Sequence, residues 1–229
     1  MRTTWQREVF ERSAATLRDH ANPDNAIAMQ AYMKDVAPYL GIPSGERRTV
    51  LREAWRDLTP PSSDELGEAS LLLFQEDERE LHYAAEDLIA KFIALTDEWF
   101  LVEYVEPLLT FKPWWDTVDG LGSVAVSPLC WRYDANALVR KWSRSENLWL
   151  NRAAIQHQRG WRRDTDVAFV LELCAAHAHS SEFFVVKASG WALRDIARLD
   201  PASVRRFVRQ HPELGSVGVR EAKRGLGIL

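Results

Sequence analysis

Leu150-Asn151-Arg152-Ala153-Ala154 has two counterparts in the chain, Leu81-His82-Tyr83-Ala84-Ala85 and Val185-Val186-Lys187-Ala188-Ser189. Arg152 and Lys187, at the centres of two of them, lie 35 residues apart, and Tyr83 and Arg152 lie 69 apart, or about two such periods. The missing intermediate falls at Val118-Asp119, within Trp114-Trp115-Asp116-Thr117-Val118-Asp119, and extension outward reaches Arg48 on one side and Ala222-Lys223 on the other. A repeat of this length predicts helical hairpins that bury their apolar faces only by stacking on neighbours. The small residues Ala84, Ala153 and Ala188 allow adjacent helices to approach closely. Tetratricopeptide repeats have a similar period, but their Trp and Leu-Gly signature is absent. The expected fold is therefore all-α, a curved α-α superhelix of about six HEAT-like repeats forming one domain over 1–229. An irregular helical bundle is the alternative.

Apolar spacing outside these segments supports helices almost throughout. Trp5, Val9, Phe10, Ala14 and Leu17 mark a first helix. Ala28, Met29, Tyr32, Met33 and Val36 mark a second, entered through the turn Asn22-Pro23-Asp24-Asn25. Thr59-Pro60-Pro61-Ser62-Ser63 is a break with Ser63 placed to cap the next helix, and helices are expected from Asp64 to Gln75 and from Asp77 to Leu95. Further breaks fall at Phe111-Lys112-Pro113, Arg132-Tyr133-Asp134, Arg163-Asp164, His179-Ser180, Asp200-Pro201 and His211-Pro212, and Gly225 and Gly227 close the last helix. No segment alternates with the period of a strand.

Composition narrows the function. Cys130 and Cys174 form no CxxC pair, so a disulfide framework or cysteine metal site is not expected, and a reducing cytoplasm suits the chain. Met1 to Asp19 is charged throughout, with no apolar core of a signal peptide, and no apolar run nears the ~18 residues of a membrane span. The six histidines make no HExxH, and neither a phosphate-binding GxxxxGK[ST] loop nor a strand-linked GxGxxG is present. No metal and no cofactor is expected. The net charge of −4 conceals an asymmetry, −11 over residues 1–130 and +7 over residues 131–229. A basic half of this kind supplies an electrostatic footprint for phosphate.

Equivalent positions of a solenoid line up along one surface, so Asp119, Arg152 and Lys187 are expected side by side on the inner face. Trp115 precedes Asp119 by one helical turn, Trp191 follows Lys187 by one turn, and Arg194 lies three further on. Arginine and lysine bind phosphates, and an indole face contacts a sugar or attracts a cation. A carboxylate stabilises the oxocarbenium-like sugar formed when a glycosidic bond breaks. Purines alkylated on a ring nitrogen are already cationic, so they leave as neutral bases and need no general acid. These residues suit the handling of a nucleotide. A HEAT-like scaffold for protein partners would instead present an apolar or acidic groove.

Three stretches carry a family resemblance. They are Lys112-Pro113-Trp114-Trp115-Asp116-Thr117-Val118-Asp119, then Asn147-Leu148-Trp149-Leu150-Asn151-Arg152-Ala153-Ala154-Ile155, and Ser180-Ser181-Glu182-Phe183-Phe184-Val185-Val186-Lys187-Ala188-Ser189-Gly190-Trp191-Ala192-Leu193-Arg194. Shorter echoes are Ala31-Tyr32-Met33-Lys34, Leu40-Gly41-Ile42 and Glu46-Arg47-Arg48. In these the chain resembles the AlkD-like DNA glycosylases of the DNA alkylation repair family, over about residues 20 to 225. The resemblance implies HEAT-like repeats gripping duplex DNA that contains alkylated bases. It also implies a monomer that removes 3-methyladenine and 7-methylguanine by monofunctional hydrolysis, without the deep pocket of a base-flipping glycosylase. By motif position Asp119 is the catalytic carboxylate, with Arg152, Trp115 and Trp191 around the lesion. Tyr32, Lys34, Arg48, Lys187 and Arg194 are the expected DNA contacts. A non-catalytic DNA-structure binder on the same scaffold is the alternative function.

Overall fold

The computed structural model describes residues 4–228, and among them every regular element is a helix. The chain divides into two compact units between Ala125 and Val126. The first contains α1 (Trp5–Asp19), α2 (Pro23–Tyr32), α3 (Ser44–Ala54), α4 (Ser63–Gln75), α5 (Arg79–Phe92), α6 (Glu106–Thr110) and α7 (Trp115–Leu121). The second contains α8 (Ser127–Arg132), α9 (Asn136–Ser143), α10 (Leu148–Ile155), α11 (Val167–Ala176), α12 (Phe183–Ala197), α13 (Pro201–Gln210) and α14 (Ser216–Gly225).

In each unit helices pack in rows. In the first, α5 lies between α3 and α7, with α4 and α1 behind it; in the second, α12 lies between α10 and α14, with α9 and α11 behind. The repeat register reappears as helical position. Arg48, Tyr83, Asp119, Arg152 and Lys187 are each the fifth residue of their helix, α3, α5, α7, α10 and α12 respectively. Ala84, Ala153 and Ala188 directly follow three of them and are buried. A methyl group there lets the backbones of a row come close.

Local chemistry sets the boundaries, in places differently from the sequence expectation. Asn22 caps α2 by accepting from the Asn25 N–H at 3.2 Å, and Pro23 supplies its first residue. This helix ends at Tyr32 and does not reach Val36, because Lys34 and Asp35 adopt left-handed backbone with φ of 64° and 57°. None of the residues of α2 is buried, so Ala28, Met29 and Tyr32 face a cleft rather than a core. The cap of α4 is Ser62, not Ser63. Ser62 Oγ accepts from the Glu65 N–H while the Glu65 carboxylate accepts from the Ser62 N–H. Three residues after Ser63 comes Leu66, which has no carboxylate to return such a bond. Helix α5 begins at Arg79, two residues later than expected, with the Arg79 N–H donated to the Pro38 carbonyl at 2.9 Å, and Ile93–Leu95 continues it only as a 3₁₀ turn.

At the C-terminus the Gly227 N–H bonds to the Arg224 carbonyl and the Ile228 N–H to the Lys223 carbonyl. With Gly227 at φ +67°, this is a Schellman closure of the last helix.

Two buried carboxylates fasten what the helices leave open. Glu80, fully buried in α5, accepts from the N–H groups of Leu40, Gly41 and Ile42 at 2.9, 2.8 and 3.1 Å. Gly41 sits at φ +84°, and a Cβ there would collide with the Asn22 carbonyl, so only glycine fits. Glu221 of α14 gathers basic side chains in the second unit.

His82 and His157 are sealed in the two cores. Each is held as one neutral tautomer. His82 Nε2–H donates to the Glu76 carbonyl at 2.9 Å, and Nδ1 accepts from Arg79 at 3.1 Å, since a guanidinium can only donate. His157 Nδ1–H donates to the Ala154 carbonyl, and Nε2 accepts from the Gln158 amide. Burial pushes both imidazoles down to about 4. Below pH 6.5 the unfolded chain takes up protons that the native state refuses until about pH 4, so stability is lost across that window. The expected loss is roughly 3 kcal/mol per histidine, at about 1.4 kcal/mol for each tenfold change in proton affinity. Urea melts at intervals from about pH 7.5 down to about pH 4.5 check this; stability flat over that range would contradict it.

Candidate functional site

In the first unit the candidate residues cluster at the start of α7. Its position is set by Asp116, which Arg79 grips with two parallel hydrogen bonds of 2.9 and 2.6 Å. The Tyr83 hydroxyl donates to the same carboxylate at 2.5 Å and is in turn bonded to the Tyr39 hydroxyl at 2.9 Å. Arg79 also donates to the Lys112 carbonyl and to Thr117 Oγ1. Burial alone would raise the Asp116 carboxyl, but the hydrogen bonds and charge of Arg79 outweigh it and hold the group below the usual carboxylate range.

With that turn fixed, Trp115 is the first residue of α7, and Asp119, half-buried, lies one turn on. Trp115 lines a cleft of about 680 Å³ together with Tyr32, Arg47, Tyr83 and Asp116. The structure thus brings together Trp115 and Tyr32, one expected beside the lesion and the other on the DNA. Tyr32 is 72% exposed, and Lys34 nearby is also exposed. Arg48 is exposed and shares Asp87 with the buried Arg47, at 3.2 and 3.0 Å.

Sequence reading missed Glu86. Its carboxyl rests against Gly120, where a Cβ would collide with it, and it faces the same cleft. The Glu86 Oε1 atom is buried without a hydrogen-bond partner. Burial, and after it the nearby Asp116, raise this carboxyl well above its usual range.

In the second unit Trp191 is the centre of a cationic cluster. The guanidinium groups of Arg152 and Arg159 lie 5.1 and 5.3 Å from its ring, and Lys187 Nζ lies 5.6 Å away. Arg152 is buried, donates to the Phe184 carbonyl at 2.7 Å and reaches over the Phe184 ring as well. The fixed guanidinium makes Trp191 a rigid platform with positive charge around it. Asn147 caps α10, and the Asn151 amide donates to the carbonyls of Trp142, Ser143 and Ser145, closing the end of α9. These two asparagines account for much of the Asn147–Ile155 motif in structural terms.

Lys187 and Arg194 are organised by Glu221, another residue not singled out from sequence. Its buried carboxylate receives Arg194 at 2.9 Å, Arg224 at 2.9 Å and Lys187 at 3.8 Å. One carboxylate among three cations leaves the cluster net positive, and Lys187 and Arg194 stay partly exposed at 26% and 32%. Such a cluster is prearranged for an anion and gives up little side-chain entropy on binding one.

Among the described residues, no group of three or more His, Cys, Asp or Glu is placed to hold a metal ion, and no helix is long and apolar enough to cross a membrane.

A family model described as DNA alkylation repair enzyme matches residues 14–226. Among solved structures, the chain is similar to one described as a "predicted DNA alkylation repair enzyme" from Enterococcus faecalis. The two share 25% identity and a TM-score of 0.82, over 89% of this chain and 95% of that one. No curated protein matches.

Proposed function

The chain belongs to the family of DNA alkylation repair enzymes, and from that membership we propose that it hydrolyses the N-glycosidic bond of cationic alkylpurines in duplex DNA. Repair of alkylated DNA is the role the family carries; the reaction and its residues are our assignment. The N-glycosidic bond breaks with its electron pair moving onto the base, which neutralises the base's positive charge. The Asp119 carboxylate stabilises the cationic sugar or orients the attacking water, whose oxygen bonds to C1′ and whose proton is released. Trp115, Arg152 and Trp191 contact the damaged nucleotide, while Tyr32, Lys34, Arg48, Lys187 and Arg194 contact the DNA. The protein acts as a monomer, without a cofactor, in the cytoplasm.

The observation that carries this reading is the geometry of α7. An ion pair sealed behind the helix fixes its first turn, leaving Trp115 on an aromatic cleft and Asp119 one turn beyond. Incubation with methylated duplex DNA followed by identification of released bases tests it. Release of 3-methyladenine and 7-methylguanine is expected. Tight binding with no base released would favour the non-catalytic DNA-structure binder.

Binding has its own expected signature. Duplex affinity should fall steeply with salt, and Lys187→Ala or Arg194→Ala should each weaken it and lower the slope of log K against log[salt] by about 0.9. Affinity indifferent to salt would remove phosphate contact from the account.

A further inference from the structure

The second unit has another aromatic and basic surface that the proposed chemistry does not use. It is built on the turn after α10, Arg159-Gly160-Trp161-Arg162-Arg163. The turn is anchored rather than loose. Ser127 Oγ donates to the Arg159 carbonyl at 2.9 Å, the Trp161 indole N–H donates to Ser127 Oγ at 3.0 Å, and the Asp166 N–H donates to Gln158 Oε1 at 2.7 Å. Gly160 and Arg162 both take left-handed backbone, at φ +94° and +55°. For arginine that conformation has a steric cost, which the surrounding anchors hold in place.

What the turn presents is chemically specific. Arg159, Arg162 and Arg163 are exposed, and neither Arg162 nor Arg163 makes an ion pair among the described residues. Trp131 of α8 stands edge-on to Trp161, with ring centroids 5.1 Å apart and planes at 85°, and is itself 56% exposed. These side chains line an open cleft of about 860 Å³, together with one acidic residue, Asp164. The Arg159 guanidinium also lies over Trp191, so the surface is continuous with that platform.

An exposed indole beside unpaired arginines fits a ligand that alternates flat rings with phosphates. In a duplex the base faces are stacked away; in a single strand they are available, and every base has one. An acidic polypeptide would satisfy the arginines but leave the face of Trp131 without a partner. We propose that Trp131, Trp161, Arg162 and Arg163 form a second nucleic-acid site, which binds unpaired nucleotides of single-stranded DNA by stacking on indole and pairing phosphate with arginine. The site lies wholly in the second unit, needs no catalytic carboxylate and goes beyond the glycosidic reaction.

The test is fluorescence anisotropy of a labelled oligothymidine of about ten nucleotides, a length within the range one such site occupies. Trp131→Ala should weaken binding about tenfold, the scale of one lost base stack, and Trp131→Phe, which keeps an aromatic face, should retain most of it. Arg162→Ala and Arg163→Ala should each lower the salt slope by about 0.7, the single-strand value per phosphate. Wild-type affinity in Trp131→Ala would overturn the proposal. So would an abasic oligonucleotide that binds as tightly as oligothymidine, since charge alone would then suffice. Base release from methylated duplex is scored separately. A protein that releases no base but binds oligothymidine through Trp131 refutes the glycosylase reading and upholds this one; release of base with Trp131-independent binding does the reverse.

Discussion

Asp119→Asn is expected to slow excision of 7-methylguanine from duplex DNA by about 10²–10³-fold, the usual cost of losing one electrostatic contact to a developing charge. Duplex affinity should hold or rise, because the carboxylate repels phosphate in the ground state and helps only as positive charge grows on the sugar. Asparagine keeps the shape of the side chain, and Asp119 is only half-buried on α7, so the fold should tolerate the change. Trp115→Ala and Trp191→Ala should each cost less, because they share contact with the lesion. Single-turnover excision with binding measured in parallel separates these effects. Excision by Asp119→Asn at the wild-type rate would show the catalytic group to be misassigned, even in a working glycosylase.

The helical repeat was legible because it depends on local signals. Apolar spacing, small residues and cap chemistry are written within a few residues of where they act. They sufficed to place Arg48, Tyr83, Asp119, Arg152 and Lys187 in one register, which the helices reproduce as five fifth positions. Two boundary errors were also local. Ser62 and Ser63 compete as caps, and Glu65 decides for Ser62; left-handed Lys34 and Asp35 end a pattern that apolar spacing alone would continue to Val36.

The buried ion network was not legible, because a charged residue on a helix reads as solvated until its partner is known. Its members are nearly one repeat apart. Arg79 and Asp116 are separated by 37 residues and Arg47 and Asp87 by 40, and the exposed pair Arg140 and Glu172, 32 apart, follows a similar spacing. Opposite charges recurring near the repeat length were thus a signal present in the sequence. That spacing marks Asp116 and Arg79 as structural partners and separates Asp116 from Asp119 in role. Glu86 left no comparable sign, because one oxygen of its carboxyl is without a hydrogen-bond partner and the carboxyl rests against a glycine, which carries no complementary charge.

That separation of roles gives the largest expected effect on stability. Arg79 and Asp116 are 1% and 8% exposed, so removing the carboxylate with Asp116→Ala leaves a guanidinium in the core with its main acceptor gone. Breaking a buried pair from one side typically costs about 3–5 kcal/mol, on the order of a third of a small domain's stability or more. The pair at Arg7 and Glu11, 64% and 58% exposed on α1, is the control, and Arg7→Ala should cost about 0.5 kcal/mol or less. Replacing both buried partners, Arg79→Met with Asp116→Leu, should recover much of the loss, because the cost lies in the uncompensated charge. Tyr83→Phe removes one hydrogen bond to the carboxylate and should fall between these, at about 1.5–3 kcal/mol. Urea unfolding of the four variants orders them. If Asp116→Ala proves no worse than Arg7→Ala, the Arg79–Asp116 pair does not hold α7 in place, and the geometry of Trp115 and Asp119 would need another source.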